Sequence, residues 1–301
     1  MKKRIKSLSV YRNMQPEDAP AGEAGQGVLH TRTVFHETWD KPISEIQYDP
    51  SGRVEQRTDY QYDDQGFMIR EVLREGDGEV VEERSFEPDG QLRVKKAFRH
   101  YADGSYDQEE FFYDASGQLV KKVLSDDEGV LERQEVYEYG EGRLLRETHT
   151  GGDGELLSDT TYLYNEGGLL EEVHLSNPEE GLELQRVHQY NEAGRRLATR
   201  VYDGEGELVE RYLFELNEQG HPATVVEENR SKKNTTHLQY DAEGHVVFQE
   251  ETDLNGALAN RVERNYDGEG RLLESRVRAL DPRTGLQHHY IVRNEYEFFE
   301  D

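Results

Sequence analysis

The stretch Tyr113-Asp114-Ala115-Ser116-Gly117-Gln118-Leu119 decides the fold, because the chain repeats its pattern about ten times. Each copy has an aromatic residue, an acidic or amide residue, two small or polar residues, a glycine, one free position and an apolar residue. The Asp114 side chain can accept hydrogen bonds from backbone amides ahead of it and open a turn. Gly117 can supply the positive φ that a following bulge needs without a Cβ penalty. The pattern therefore predicts a tight turn between two antiparallel strands.

Two series of glycines mark such turns along the chain. The first series, at intervals of 24–27 residues, comprises Gly66, Gly90, Gly117, Gly142, Gly168, Gly194, Gly220, Gly244 and Gly270. An earlier copy of the pattern ends at Gly52, only 14 residues before Gly66. A second, looser series alternates with the first and comprises Gly78, Gly104, Gly129, Gly154, Gly181, Gly206, Gly256 and Gly285. The copy expected near residue 231 is replaced by Asn229–Asn234, so one unit lacks its second glycine.

The segments between the turns are about eight residues long and alternate like strands, as in Leu208–Phe214. They are too short for helices, and tight turns do not suit the longer crossovers of parallel strands. We therefore predict an all-β fold, an extended antiparallel meander of about 18–21 strands built from ~25-residue hairpin repeats. Because each strand adds right-handed twist, such a sheet is expected to form a coiled ribbon or a partly rolled shell.

The two ends of the chain depart from the repeat. Residues 1–27 are polar and rich in Pro, Ala and Gly, which predicts a flexible N-terminal leader with a short strand near Leu8–Arg12. Residues 28–301 are predicted to form a single hairpin array, with atypical ends at about 28–46 and about 287–301. The aromatic-rich stretch Gln287–Phe299 is interpreted as a closing strand or, alternatively, as an edge that dimerises or adds to a partner's sheet. The sequence leaves the oligomeric state open.

Composition limits the partners of this protein. Acidic residues outnumber basic ones 64 to 36, and the formal net charge is −28. Such a field repels nucleic acid and anionic membrane surfaces, whereas it is compatible with a cationic partner. The basic segment Met1–Lys6 is not followed by an apolar run, and no stretch is long enough for a transmembrane helix. We therefore expect a cytoplasmic protein, or one exported without a classical signal peptide.

No chemistry of catalysis or metal binding is predicted. The chain has no cysteine, which excludes disulfides and thiolate sites. It has neither a Gly-x-Ser-x-Gly elbow nor a phosphate loop, and with so many carboxylates no single pair is informative. The acidic turns Asp126–Gly129, Asp203–Gly206 and Asp267–Gly270 lack the ligand spacing of a calcium loop. We expect solvated or strand-surface histidines without metal-ligand spacing at His36, His149, His174, His188, His288 and His289. No catalytic residue, metal site or cofactor is therefore predicted.

Several copies of the pattern resemble the YD repeats of bacterial Rhs and wall-associated proteins. The copies that carry the resemblance are Tyr48–Gly52, Tyr62–Gly66, Tyr113–Leu119, Tyr190–Gly194, Tyr240–Gly244 and Tyr266–Leu272. The resemblance covers about residues 47–280 and implies a bacterial protein. It also implies that the repeats form strands of a curled shell, which in that family often encloses a toxic C-terminal domain.

These observations predict a non-enzymatic structural or protein-interaction repeat protein that presents an extended acidic β-sheet surface. In a bacterial context it would be an accessory, adaptor or immunity-type partner of a polymorphic toxin, with a protein partner and without nucleic acid or membrane. The alternative is a carbohydrate-binding surface protein that uses a tyrosine ladder. The ladder comprises Tyr113, Tyr139, Tyr164, Tyr190, Tyr240 and Tyr266. A purely structural interpretation is that these rings cover the turns.

Overall fold

The computed structural model describes residues 3–15, 27–281 and 283–300. These residues form strands and turns, and they include no helix and hence none that could cross a membrane. The predicted all-β antiparallel meander is confirmed, with 22 strands against the expected 18–21. The strands, numbered in chain order, are β1 (Ile5–Gln15), β2 (Val28–Phe35), β3 (Pro42–Tyr48), β4 (Val54–Tyr62), β5 (Met68–Glu75), β6 (Val80–Pro88), β7 (Val94–His100), β8 (Tyr106–Tyr113), β9 (Leu119–Ser125), β10 (Leu131–Gly140), β11 (Arg143–Gly151), β12 (Leu156–Tyr164), β13 (Leu170–Asn177), β14 (Leu182–Tyr190), β15 (Arg196–Asp203), β16 (Leu208–Leu216), β17 (Pro222–Asn229), β18 (Lys233–Tyr240), β19 (Val246–Thr252), β20 (Leu258–Tyr266), β21 (Leu272–Leu280) and β22 (Gln287–Phe298).

The chain divides into two compact units. Unit 1 contains the described residues of Met1–Glu83 and Asn234–Asp301, and unit 2 contains Arg84–Lys233. In unit 2, the strands β7 to β17 each pair antiparallel with the next strand of the chain. In unit 1, β18 to β22 pair in the same consecutive way, and so do β1 to β5.

Strand β1 lies inside the segment for which a flexible leader is predicted. It is longer than the predicted strand at Leu8–Arg12, because its backbone pairs with β2 on one side and with β22 on the other. Residues 16–26 of the predicted leader lie outside the described residues. Strand β22 pairs with β1 over most of its length and with β21 over its first seven residues. The backbone groups of β22 with which a partner's strand would pair are therefore largely paired with β1 and β21 within unit 1.

The predicted turn chemistry is confirmed at Asp114–Gln118. The Asp114 N–H donates to the Gln118 carbonyl (2.9 Å), and the Gly117 N–H donates to the Asp114 carbonyl (3.1 Å). The Asp114 side chain accepts two further hydrogen bonds, from the N–H groups of Ser116 and Gln118. Gly117 has a φ of 88°, and the bulge follows it on β9, where Leu119 pairs with Tyr113 and Lys121 with Phe112. The acidic residue and the glycine thus have the predicted roles in this turn.

The predicted role of Gly90 is wrong. In this turn Asp89 pairs with Arg93, and the residue with positive φ (61°) is Leu92. The backbone requires positive φ at the fourth position of the turn, whatever residue stands there, so a search for glycines selects the wrong position. With Leu92 in place of Gly90, the intervals from Gly66 and to Gly117 become 26 and 25 residues.

Gly52 and the segment Asn229–Asn234 also fit the period. Gly52 lies in the turn between β3 and β4, so it belongs to the second series, 26 residues before Gly78. At Asn229 the turn is one residue shorter, because the Asn229 N–H donates to the Lys232 carbonyl (2.8 Å). None of its described residues has positive φ. The second glycine is therefore absent because the shortened turn has no position that requires it.

One face of the unit 2 sheet carries most of the buried side chains. Directly opposed residues of an antiparallel ladder lie on the same face, so the ladders identify the members of each face. We call the face that contains Tyr137, Tyr162 and Tyr212 the tyrosine face. Its buried residues are Ala97, Glu135, His188, Thr199 and Val201. On the opposite face large apolar side chains are exposed, including Phe112 (44%) and Leu163 (50%), although Ala198 is buried there.

Candidate functional site

The predicted tyrosine ladder lies along the first series of turns. Its members stand at the ends of β8, β10, β12, β14, β18 and β20, immediately before the turn. Hydroxyl groups of the ladder donate to backbone carbonyls at the start of the preceding strand. The bonds join Tyr113 to Val94 (2.8 Å), Tyr139 to Leu119 (2.9 Å), Tyr164 to Leu144 (3.0 Å), Tyr190 to Leu170 (2.6 Å) and Tyr266 to Val246 (3.1 Å). Tyr113, Tyr139, Tyr164 and Tyr190 thus form a row within unit 2, whereas Tyr240 and Tyr266 lie in unit 1. Each of the five hydrogen bonds ties one turn to the previous one.

The residue that follows the positive-φ position of the turn covers the tyrosine of the next repeat in three cases. The Arg93 guanidinium lies 4.1 Å from the centroid of the Tyr113 ring, and that of Arg143 lies 5.5 Å from the Tyr164 ring. The His245 ring stacks on Tyr266 with centroids 4.7 Å apart. Burial raises the pKa of Tyr113 although Arg93 opposes that shift. Sequence reasoning missed these partners, whose signal is the recurrence of arginine at the position that it treated as free.

The second series of turns forms a different edge in unit 2. The sixth turn of this series in unit 2, at Asn229–Lys232, carries Arg230 and Lys232. We call the other five turns the acidic edge: residues 101–105, 126–130, 151–155, 177–182 and 203–207. Together they contain eleven acidic residues and no lysine or arginine. The acidic residues are Asp103, Asp126, Asp127, Glu128, Asp153, Glu155, Glu179, Glu180, Asp203, Glu205 and Glu207. Asp126 and Asp203 begin their turns; Asp126 accepts the N–H groups of Glu128 and Val130, and Asp203 accepts those of Glu205 and Glu207.

Most carboxylates of the acidic edge point to solvent without a cation beside them. Asp127, Glu128, Glu179 and Glu180 are exposed, and none of them has an ion pair within the described residues. Asp203 and Glu207 differ from these residues, because both form an ion pair with the Arg230 guanidinium, at 3.2 Å and 2.6 Å. The edge therefore retains a strong negative charge along its length.

Exposed leucines lie next to three of these turns, at the same position after the turn glycine. Leu131, Leu156 and Leu208 begin β10, β12 and β16, and each follows the turn glycine by two positions. Their exposed fractions are 37%, 39% and 42%. At the other edge the corresponding residues Leu119 and Leu170 accept, through their backbone carbonyls, hydrogen bonds from the tyrosines of the next repeat. The acidic edge thus combines exposed leucines with unpaired carboxylates, and sequence reasoning missed it because both turn series look alike in sequence.

On the tyrosine face, tyrosine hydroxyls pair with carboxylates. The Tyr137 hydroxyl donates to Glu135 (2.7 Å), Tyr162 to Glu147 (3.1 Å) and Tyr212 to Glu210 (2.8 Å). The bond to Glu210, together with burial, raises the pKa of Tyr212 to about 12. These tyrosines therefore remain protonated donors, and they fix the carboxylates to which they donate.

Of the two expected alternatives, solvated or strand-surface, His188 is a strand-surface histidine that is largely buried. Its side chain lies on the tyrosine face of β14 and is only 7% exposed. Its Nδ1 lies 2.9 Å from the Thr199 hydroxyl. Burial, with Arg196 and Arg186 nearby, lowers the pKa of His188 to about 4. No three histidine, aspartate or glutamate side chains in the described part of the chain are grouped to hold a metal ion.

Comparison with known proteins gives similarity of structure only. No family model matches the sequence, and no curated protein matches it. A porin-like protein from Bacteroides uniformis aligns over 98% of this chain and 97% of its own, with 11% identity and a TM-score of 0.32. TcdB2-TccC3 without its hypervariable C-terminal region aligns over 88% of this chain and 19% of its own, with 9% identity and a TM-score of 0.33. At these scores the similarities carry no argument, and the resemblance to YD repeats continues to rest on the motif.

Proposed function

We propose that this chain is a non-enzymatic interaction protein whose acidic edge binds a cationic, amphipathic segment of a protein partner. The observation that carries the proposal is the exposure of Leu131, Leu156 and Leu208 beside turns with eleven acidic residues, of which Asp203 and Glu207 are paired with Arg230. Single exposed leucines are common on protein surfaces. Here they recur two positions after the turn glycine at the start of β10, β12 and β16, whereas Leu182 at the start of β14 follows its glycine directly and is half-buried.

The spacing of the row selects the shape of the partner. Strands β10 and β12 are two positions apart in the sheet, which separates Leu131 from Leu156 by about 9.6 Å. An α-helix rises about 10.5 Å in seven residues. A helix with an apolar residue at every seventh position and Lys or Arg between them therefore matches both the leucines and the carboxylates. Charge complementarity of this kind accelerates association and makes it sensitive to salt.

The finer expectations from the sequence belong to the same proposal. They are a coiled ribbon or partly rolled shell, and a role as accessory, adaptor or immunity-type partner of a bacterial polymorphic toxin. They include a location in the cytoplasm or export without a classical signal peptide. In that setting the cationic segment would belong to the toxin or to its delivery apparatus. No observation favours the carbohydrate alternative, since ladder hydroxyls donate to backbone carbonyls and cations lie over several of the rings.

The test measures binding of a helical peptide of about 20 residues with leucine at every seventh position and lysine or arginine elsewhere. The variant Leu131→Ser/Leu156→Ser/Leu208→Ser is expected to bind at least about tenfold more weakly than the unaltered protein. The matched control is Phe112→Ser/Leu163→Ser, which removes equally exposed apolar side chains from a sheet face. It should bind within about twofold of the unaltered protein, because the edge is intact.

A scrambled peptide of identical composition controls for charge alone. Equal binding of both peptides, or equal loss in both variants, would contradict the proposal. Capture of a host protein by the unaltered chain but not by the edge variant would then identify the natural partner.

A further inference from the structure

A cavity of about 590 Å³ opens on the tyrosine face of unit 2, over strands β12 to β16. Five directly opposed residues, one from each strand, cross it in a row. The row is Tyr162, Val173, Arg186, Val201 and Glu210. The volume lies in the range of about 300–1,000 Å³ that is typical of small-molecule sites, which combine apolar walls with a few polar groups. The cavity therefore has room for an organic molecule.

Arg186 lies in the middle of this row without a carboxylate partner. Its opposed neighbours, Val173 and Val201, are apolar. Arg196 also lines the cavity, and its guanidinium lies 5.9 Å from the centroid of the Tyr190 ring. Within the described residues neither arginine has an ion pair, whereas Arg211 on the opposite face binds Glu228 at 2.7 Å. Two unpaired arginines in a chain of net charge −28 create a local site for an anion.

Two carboxylates at the cavity keep their negative charge, but neither forms an ion pair with Arg186 or Arg196 within the described residues. The Glu210 carboxylate accepts a hydrogen bond from the Tyr212 hydroxyl (2.8 Å), and Glu147, beside the cavity, accepts one from Tyr162 (3.1 Å). His188 holds Thr199 through Nδ1, and its low pKa, caused mainly by burial, keeps the ring neutral at pH 7. The two arginines are thus the cations available to a ligand.

We propose that this cavity binds a small amphipathic organic anion, whose carboxylate or phosphate group is held by Arg186 and Arg196. The apolar body of the ligand lies against Val173 and Val201, beside the ring of Tyr212. The planar fork of a guanidinium suits both head groups, because each offers two oxygens to parallel N–H donors. This site is separate from the acidic edge and takes a ligand of opposite charge, so it adds a second binding activity to the proposed function.

The test compares two fluorescent probes that share one aromatic body. Anilinonaphthalene sulfonate carries an anionic group, and N-phenylnaphthylamine does not. Their dissociation constants are measured on the full chain and on the variants Arg186→Gln and Arg196→Gln. Arg200→Gln is the matched control, since Arg200 lies on the opposite face of the same strand as Thr199 and Val201. Decanoate and decyl phosphate then compete with the anionic probe, and the better competitor identifies the head group.

The unaltered chain is expected to bind the sulfonate at least about tenfold more tightly than the neutral probe, the factor that a charge-assisted hydrogen bond supplies. Arg186→Gln should abolish this preference and leave the neutral probe within about twofold, while Arg200→Gln should preserve it. The proposal is overturned if the unaltered chain shows no preference, if Arg200→Gln loses as much as Arg186→Gln, or if neither competitor displaces the probe. Circular dichroism and the urea midpoint verify that each variant is folded.

Discussion

The hydroxyl of Tyr164 donates a hydrogen bond to the carbonyl oxygen of Leu144, 3.0 Å away and one hairpin earlier in the chain. The Arg143 guanidinium lies over the same ring, so the start of β11 contacts the tyrosine through both its backbone and its side chain. Corresponding bonds recur in other repeats, which makes the tyrosine row a set of links between successive turns.

Removing one such hydroxyl should destabilise the protein. We expect Tyr164→Phe to lower the free energy of unfolding by about 1 kcal/mol, because the hydrogen bond is lost and the Leu144 carbonyl loses its donor. Urea denaturation measures the change. Tyr202→Phe is the control, since the Tyr202 hydroxyl has no hydrogen bond within the described residues, and it should change stability by less than about 0.5 kcal/mol. Equal effects of the two substitutions would show that the bond contributes nothing.

The ladder should not bind glycans through these rings. A glycan array probed with the unaltered chain and with Tyr164→Ala/Tyr190→Ala is expected to show no difference, because the hydroxyl groups of both tyrosines donate to backbone carbonyls. Glycan binding that disappears in the double variant would restore the carbohydrate alternative.

Replacing Leu92 by glycine should stabilise the protein. A residue with a Cβ costs roughly 1–2 kcal/mol in the left-handed region, and Leu92 is half exposed, so little burial is lost. We expect Leu92→Gly to raise the free energy of unfolding by about 1 kcal/mol after the entropy cost of glycine. The reverse change, Gly117→Leu, should lower it by at least as much, because its Cβ would also meet the Arg93 guanidinium at 3.0 Å. Denaturant midpoints of both variants provide the comparison.

Local features of the fold could be predicted from the sequence, and cooperative ones could not. Asp114 and Gly117 act within five residues of each other, so their roles follow from backbone chemistry alone. The bond from Tyr164 to Leu144 depends on how neighbouring turns stack, which no single repeat encodes. Leu92 was missed because the backbone position, and not the glycine, defines the turn.

The candidate sites show the same limit. Alternation along a strand divides residues between two faces, but it does not say which face becomes covered. The burial of His188 and the absence of a carboxylate beside Arg186 follow from the side chains of neighbouring strands. The acidic edge could have been found by comparing the charges of the two turn series, since the turns at Gly129 and Gly206 carry acidic residues and no lysine or arginine.

His188 should make stability depend on pH. Its pKa is about 4 in the folded chain and about 6.5 when unfolded, so the unfolded state binds more protons between these values. His188 therefore costs nothing above pH 6.5, and it destabilises the fold increasingly as the pH falls towards 4. Allowing for solvent screening, the loss is about 1–2 kcal/mol. The difference in unfolding free energy between the unaltered chain and His188→Gln should change by this amount from pH 7 to 4.5, whereas that for the control His30→Gln should change less.

The close approach of Gly152 to the preceding hairpin should make this position intolerant of any side chain. A Cβ built on Gly152 would lie 2.0 Å from the carbonyl oxygen of Leu131, which is backbone and cannot move aside cheaply. We expect Gly152→Ala to lower the free energy of unfolding by more than about 2 kcal/mol, and to weaken peptide binding at the acidic edge by displacing Leu131. Gly268→Ala is the matched control, since a Cβ there meets nothing within 4 Å, and it should be neutral or stabilising by about 0.5 kcal/mol. If Gly152→Ala unfolds at the same urea concentration as Gly268→Ala, the two hairpins are not held together through this contact.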